Sequence, residues 1–172
     1  MKNKIFVLLF PLFFLSCAKT QYIIVQSVGQ LELLASARDN DWVLQDQSVA
    51  LEHKEKIRDI QKFKNYFEKL WDVKSGDIYS QTTFLDHKAV TYLLIRSPHN
   101  RVKTVKEYFP IQGRFPYLGF FDREDAQKWG EKAEGQHRYI RPVYAYSTLG
   151  YFDDPILSSF FQYGRYELAE LI

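Results

Sequence analysis

Ala89-Val-Thr-Tyr-Leu-Leu-Ile-Arg96 is the stretch on which the fold class turns. β-Branched and aromatic residues dominate it, and such side chains fit a pleated surface better than a helix, where their χ1 freedom is lost against the preceding turn. Ser97-Pro98-His99-Asn100 then closes it with turn chemistry, since Pro98 cannot donate to a ladder. A buried strand is expected here.

Upstream of that strand the apolar spacing is helical. Ile24, Val28, Leu31, Leu34 and Ala35 recur three and four apart, which predicts a helix over residues 21–37 with one buried face, interrupted by Gly29. Asn40-Asp41 breaks the pattern. A second helix is expected over 49–73, with Ile57, Ile60, Phe63, Phe67, Leu70 and Trp71 on one side, ended by Ser75-Gly76-Asp77. The pair suggests a helical hairpin.

Downstream, residues 102–109 are expected to return as a strand, and residues 110–121 interleave glycines and prolines with rings, which predicts an irregular stretch with one short strand. Asp122 is a predicted N-cap with Asp125 at N3, opening a helix that ends at Gly135. Residues 138–146 form a further expected strand. Asp154-Pro155 pairs an N-cap with Pro at N1 and predicts a short helix through Phe161. In the last segment, Tyr166-Glu-Leu-Ala-Glu-Leu-Ile172, an apolar face of Leu168, Leu171 and Ile172 runs to the final residue without a C-cap signal; the helix reads as incomplete and that face as exposed. Together these segments make the fold class α+β: an N-terminal helical hairpin, then a small mixed sheet with short helices, within a single domain over 17–172.

The chain has 172 residues, of which 46% are hydrophobic and 17% aromatic, a composition that can build a packed core rich in rings. Its formal charge of +2 falls to zero once Lys2 and Lys4 are removed. The remaining basic residues alternate with acidic ones, as in Glu52-His53-Lys54-Glu55-Lys56, which suits a solvated helix face and not a phosphate-binding stripe. Nucleic-acid binding is therefore not expected.

Lys2 and Lys4 precede the apolar run 5–15, too short to span a bilayer as a helix, so residues 1–16 read as a signal peptide. Phe14-Leu15-Ser16-Cys17 resembles the lipobox of bacterial lipoproteins, although Phe14 stands where Leu is usual. Cys17 is the single cysteine, so no intramolecular disulfide accounts for it. Lipidation at Cys17 and a membrane as partner are expected, with a soluble protein cleaved nearby as the alternative. Ala18 after the cysteine points to the periplasmic side of the outer membrane.

Most catalytic signatures are missing. His53, His87, His99 and His137 form no H-x-x-x-H or H-x-H pair, so no zinc site is expected from this chain alone. The glycines match neither G-x-G-x-x-G nor a P-loop, and Ser147 and Ser158 lack the G-x-S-x-G elbow. Asp153-Asp154 reads as a carboxylate pair or as a cap with a solvated neighbour. Phe115, Tyr117, Phe120 and Phe121 read as a ligand platform or as core.

Three stretches carry a resemblance: Gly29-Gln-Leu-Glu-Leu-Leu34; Phe109-Pro-Ile-Gln-Gly113 with Tyr117-Leu-Gly-Phe-Phe-Asp-Arg-Glu-Asp-Ala126; and Ala145-Tyr-Ser-Thr-Leu-Gly-Tyr-Phe-Asp-Asp-Pro-Ile-Leu-Ser158-Ser159. They resemble, in order, the bacterial "putative aminopeptidase" family, predicted zinc peptidases often made as lipoproteins. In that family the counterpart of Glu-Leu-Ala-Glu-Leu-Ile172 runs into a helix bearing H-E-x-x-H, whose histidines bind zinc and whose Glu serves as general base. The present sequence stops short of that motif, so the resemblance implies zinc for the intact family and assigns this chain neither metal ligand nor catalytic residue. It also implies that residues 144–150 lie beside the substrate, with Tyr146, Ser147, Thr148 and Gly150 as candidate peptide contacts, or else form a structural turn. Peptides are the expected substrate class. The competing expectation is a non-catalytic envelope lipoprotein that binds peptides or a protein partner.

Overall fold

The computed structural model describes residues 18–109, 113–132, 134–148 and 150–172. Cys17 and the predicted signal peptide lie outside them. The architecture is α+β, with long helices first and small mixed sheets after. Its elements are α1 (Ala18–Ala35), β1 (Arg38–Asp39), α2 (Asn40–Gln45), α3 (Leu51–Trp71), β2 (Gln81–Thr83), β3 (Thr91–Pro98), β4 (Glu107–Phe109), β5 (Gly113–Phe115), β6 (Leu118–Phe120), α4 (Arg123–Glu131), β7 (Gln136–Val143), β8 (Ile156–Leu157), a 3-10 turn (Ser158–Gln162) and α5 (Arg165–Leu171). The described residues group into two compact units, one from 18–32 and Tyr92–Arg141, the other from Leu33–Thr91 and Pro142–Ile172.

In the first unit β3 is the central strand of a sheet ordered β6-β3-β7. Antiparallel register sets Tyr92 opposite Phe120 and Leu94 opposite Leu118. Leu94, Phe109, Leu118, Phe120 and Ala126 form the core, closed by Tyr22, Trp129 and Ile140. Asp122 caps α4 by accepting from the Asp125 N–H at 2.9 Å, as the sequence predicts, but the helix ends at Glu131, before the left-handed Gly135. Of the ring cluster, Phe120 is core whereas Phe115 and Tyr117 are exposed. Tyr22 sends its hydroxyl to the Gly119 carbonyl at 2.9 Å, and burial of the ring pushes its pKa up to about 12.

The expected returning strand over 102–109 is corrected here. Only Glu107–Phe109 enters a ladder, and its partner is β5, while the antiparallel neighbour of β3 is β6. Val102 is fully exposed, so the segment has no continuous inward face to hold it along β3; it is tied back by the Val105 N–H to the Arg96 carbonyl at 2.8 Å and by an Arg96–Glu107 ion pair. Residues 113–120 supply two strands where one was expected, each too short for periodicity to reveal.

Gly29 sits mid-helix, where Ala is ordinarily favoured by about 1 kcal/mol. A Cβ at this position would lie 2.4 Å from the Phe121 ring, whose own N–H is held by Gln26 Oε1 at 3.0 Å. Gly29→Ala is therefore expected to destabilise by about 1–2 kcal/mol despite its better propensity, read as a lower urea midpoint.

The second unit is built on a mixed sheet ordered β1-β2-β8, antiparallel between β1 and β2 and parallel between β2 and β8. Val43, Ile57, Ile60, Ile156, Leu157, Phe160 and Leu168 are buried. Asn40-Asp41, expected to be a break, instead starts α2, because the Asp39 carboxylate accepts from the Asp41 N–H at 2.8 Å. Asn40 itself is buried, donating to the Tyr79 carbonyl at 2.9 Å and accepting from Thr82 Oγ1 at 2.6 Å.

Two further expectations fail in this unit. Asp154-Pro155 does not open a helix: Ile156 and Leu157 pair in parallel with Thr82 and Thr83, and the Asp154 side chain is engaged elsewhere. The face of the final helix is not exposed either. Leu168 is fully buried, Leu171 and Ile172 are half-buried, and α5 packs on α3, with the Gly164 N–H held by Glu167 Oε2 at 2.6 Å.

Candidate functional site

Beyond Val143 the chain leaves the ladder and enters the segment that carries the candidate contacts. Asp154, only 8% exposed, organises it. Its Oδ2 accepts from Ser147 Oγ and from the Thr148 N–H, both at 2.9 Å, and its Oδ1 accepts from Thr148 Oγ1 at 2.7 Å. The Thr148 hydroxyl proton is thereby committed to Asp154, leaving its oxygen to accept from the Phe152 N–H at 3.3 Å. Tyr151 N–H to Thr148 carbonyl, 3.2 Å, completes a turn in which Gly150 has φ +82°, a conformation only glycine adopts without strain. Tyr144 is anchored at the start, its carbonyl accepting from Ser159 Oγ.

The Asp154 backbone carries a second tie, accepting from the Tyr79 N–H at 2.8 Å. Tyr79 has φ +59°, uncommon for a ring-bearing residue and held here by that bond and by Asn40. Burial raises the Tyr79 pKa, and the neighbouring Asp154 charge raises it further. Its phenol therefore stays protonated through the neutral range.

Next to this network lies a cavity of about 330 Å³, bordered by Phe67, Trp71, Ser75, Tyr79, Asp154 and Ile172. Phe67 and Trp71 stack at 4.9 Å on its α3 wall. The charged residues of that wall are committed to the adjoining loop: Lys64 Nζ donates to the Gly76 and Ile78 carbonyls at 2.6 and 2.8 Å, and Glu68 Oε1 accepts from the Ser75 N–H and hydroxyl. Those Ser75 bonds hold the Glu68 carboxyl below its usual range. What remains is a half-apolar recess with a ring wall and a buried carboxylate, suited to an amphipathic ligand the size of one or two amino-acid residues.

Ser147 and Thr148 thus meet at Asp154, Gly150 shapes the turn, and Tyr146 is half-buried beside them. Asp153 is exposed and takes no part in that network, so Asp153-Asp154 is not a paired-carboxylate site.

Residues 21–172 match the family model described as "Putative aminopeptidase". The chain belongs to that family. No curated protein and no solved structure gives a match. A catalytic zinc in an aminopeptidase-family chain takes three protein ligands and an open position. Among the described residues no three His, Cys, Asp or Glu side chains converge. His53 stacks on Phe161 at 4.8 Å and the His87 ring bonds to the Ala89 carbonyl. These residues do not fit a zinc peptidase centre, and no catalytic step follows from them.

Sequence reasoning missed Tyr79 and the organising role of Asp154. Nothing local marks Tyr79. For Asp154 the one available signal was a Ser-Thr pair six and seven residues earlier, masked by the stronger helix-start signature of Asp-Pro.

Proposed function

We propose that this chain supplies the peptide-holding framework of a membrane-anchored aminopeptidase, and that by itself it holds peptides without cleaving them. The family match over residues 21–172 is the observation that carries this reading. Substrates would be peptides with a free amino terminus, lying along residues 144–150 with an end residue in the recess beside Tyr79 and Asp154. Zinc and the general base would come from an H-E-x-x-H segment that the 172 residues do not contain. Cys17 would carry the lipid that fixes the chain to the cell envelope.

In the assay that decides this, the 172-residue chain with added zinc is expected to leave aminoacyl nitroanilides intact, and tripeptides are expected to quench its tryptophan fluorescence saturably. Cys17→Ser should move the protein from the membrane pellet to the supernatant. Stoichiometric zinc with peptide cleavage in the purified chain would overturn the non-catalytic part, and a lack of peptide binding would overturn the framework part. The seat that Leu168 finds within its own unit favours a second reading, an envelope lipoprotein that binds peptides as a module in its own right. A single cooperative melt of the isolated chain separates that reading from a fragment that needs a partner to fold.

A further inference from the structure

His99 follows β3 and His137 is the second residue of β7, strands that are neighbours in the first unit's sheet. The fold brings these two rings together across 38 positions of sequence, with His99 Nδ1 3.1 Å from His137 Nε2 and the ring planes at 79°. Both side chains are exposed. Only one proton fits between two nitrogens at that distance, so at least one ring is neutral there and presents a lone pair to the other.

The spacing has a chemical meaning of its own. Two nitrogens each about 2.1 Å from a metal, subtending about 95–110°, lie about 3.1–3.4 Å apart. The observed 3.1 Å falls in that range. The geometry points to a divalent transition-metal clamp formed by His99 and His137, in which the cation takes the place of the shared proton and water completes its coordination. The β7 backbone fixes where His137 stands, Pro98 at the end of β3 restricts the chain just before His99, and the left-handed Gly135 sets the entry to β7. Exposure leaves the rings free to swing the small amount that aims both lone pairs at one point. Imidazole ligands suit copper, nickel and zinc, and copper(II) is held most tightly of the three. This clamp is separate from the family's peptidase centre, whose histidines share one helix.

The test titrates the 172-residue chain with copper(II) alone and with zinc(II) alone. One copper per chain is expected, with an electron paramagnetic resonance spectrum showing coupling to two nitrogens. His99→Ala and His137→Ala should each weaken copper binding by more than about tenfold, since even groups behind a ligand are worth that much. His53→Ala should leave it unchanged. Coupling to a single nitrogen in the unsubstituted chain, or copper affinity equal within twofold in both alanine variants, would overturn the clamp.

Discussion

Asp154→Ala is expected to lower the unfolding free energy by about 3 kcal/mol. Hydrogen bonds to a charged acceptor contribute roughly 1.5–3 kcal/mol each, and three converge on this carboxylate, although Ser147 is exposed enough to recover one from water. The Thr148 N–H has no such recourse inside its turn. Asp154→Asn should be much milder, about 1 kcal/mol, because its oxygen can replace Oδ2 while its amide donates to Thr148 Oγ1, whose proton turns to the Phe152 carbonyl 3.2 Å away. Urea melts of the two variants, with amide exchange at Thr148, measure this. A change below about 0.5 kcal/mol in the alanine variant would place it among ordinary surface substitutions and sink the network.

Leu168→Ala should cost a comparable amount, about 2–5 kcal/mol, the range found for large-to-small changes at fully buried sites. The side chain has no exposed surface, and the helix that bears it has seven residues, too few to persist without its packing on α3. For a chain of this size that corresponds to a melting temperature lower by about 4–20 °C. Tyr166→Ala on the same helix, where the ring is 88% exposed, should change it by less than about 2 °C. Equal effects from both would mean that α5 is held by its own propensity and not by the core.

The long elements were legible because their signals are local and repeated, but the inward face of α1 was misread: Ile24, Val28 and Leu31, expected to be buried, are exposed, and Leu33 is buried instead. Ile57 and Ile60, three apart in a 21-residue helix, are both fully buried, and Asp122 caps α4 through a bond that spans three residues. The candidate site was legible only in part. Ser147, Thr148 and Gly150 stand out as a family-like stretch, but Asp154, the partner that Ser147 and Thr148 share, carries an equally good local explanation as a helix start, and its true role depends on a fold-back of the chain. Residues 102–109 failed for a related reason: a strand has no fixed partner until others compete for its edge, and β6 took the place beside β3.

Amphipathic periodicity, caps and β-branched runs determined by themselves that this chain is α+β, since each acts within a few residues and needs nothing distant to be satisfied. The tertiary structure alone decided that Asp-Pro becomes a strand start and not a helix, that Leu168 is covered, and that His99 meets His137. The pairing of Ile156 with Thr82 spans 74 residues and the meeting of His99 with His137 spans 38, and contact across such separations is set by strand pairing and burial, which no local propensity encodes.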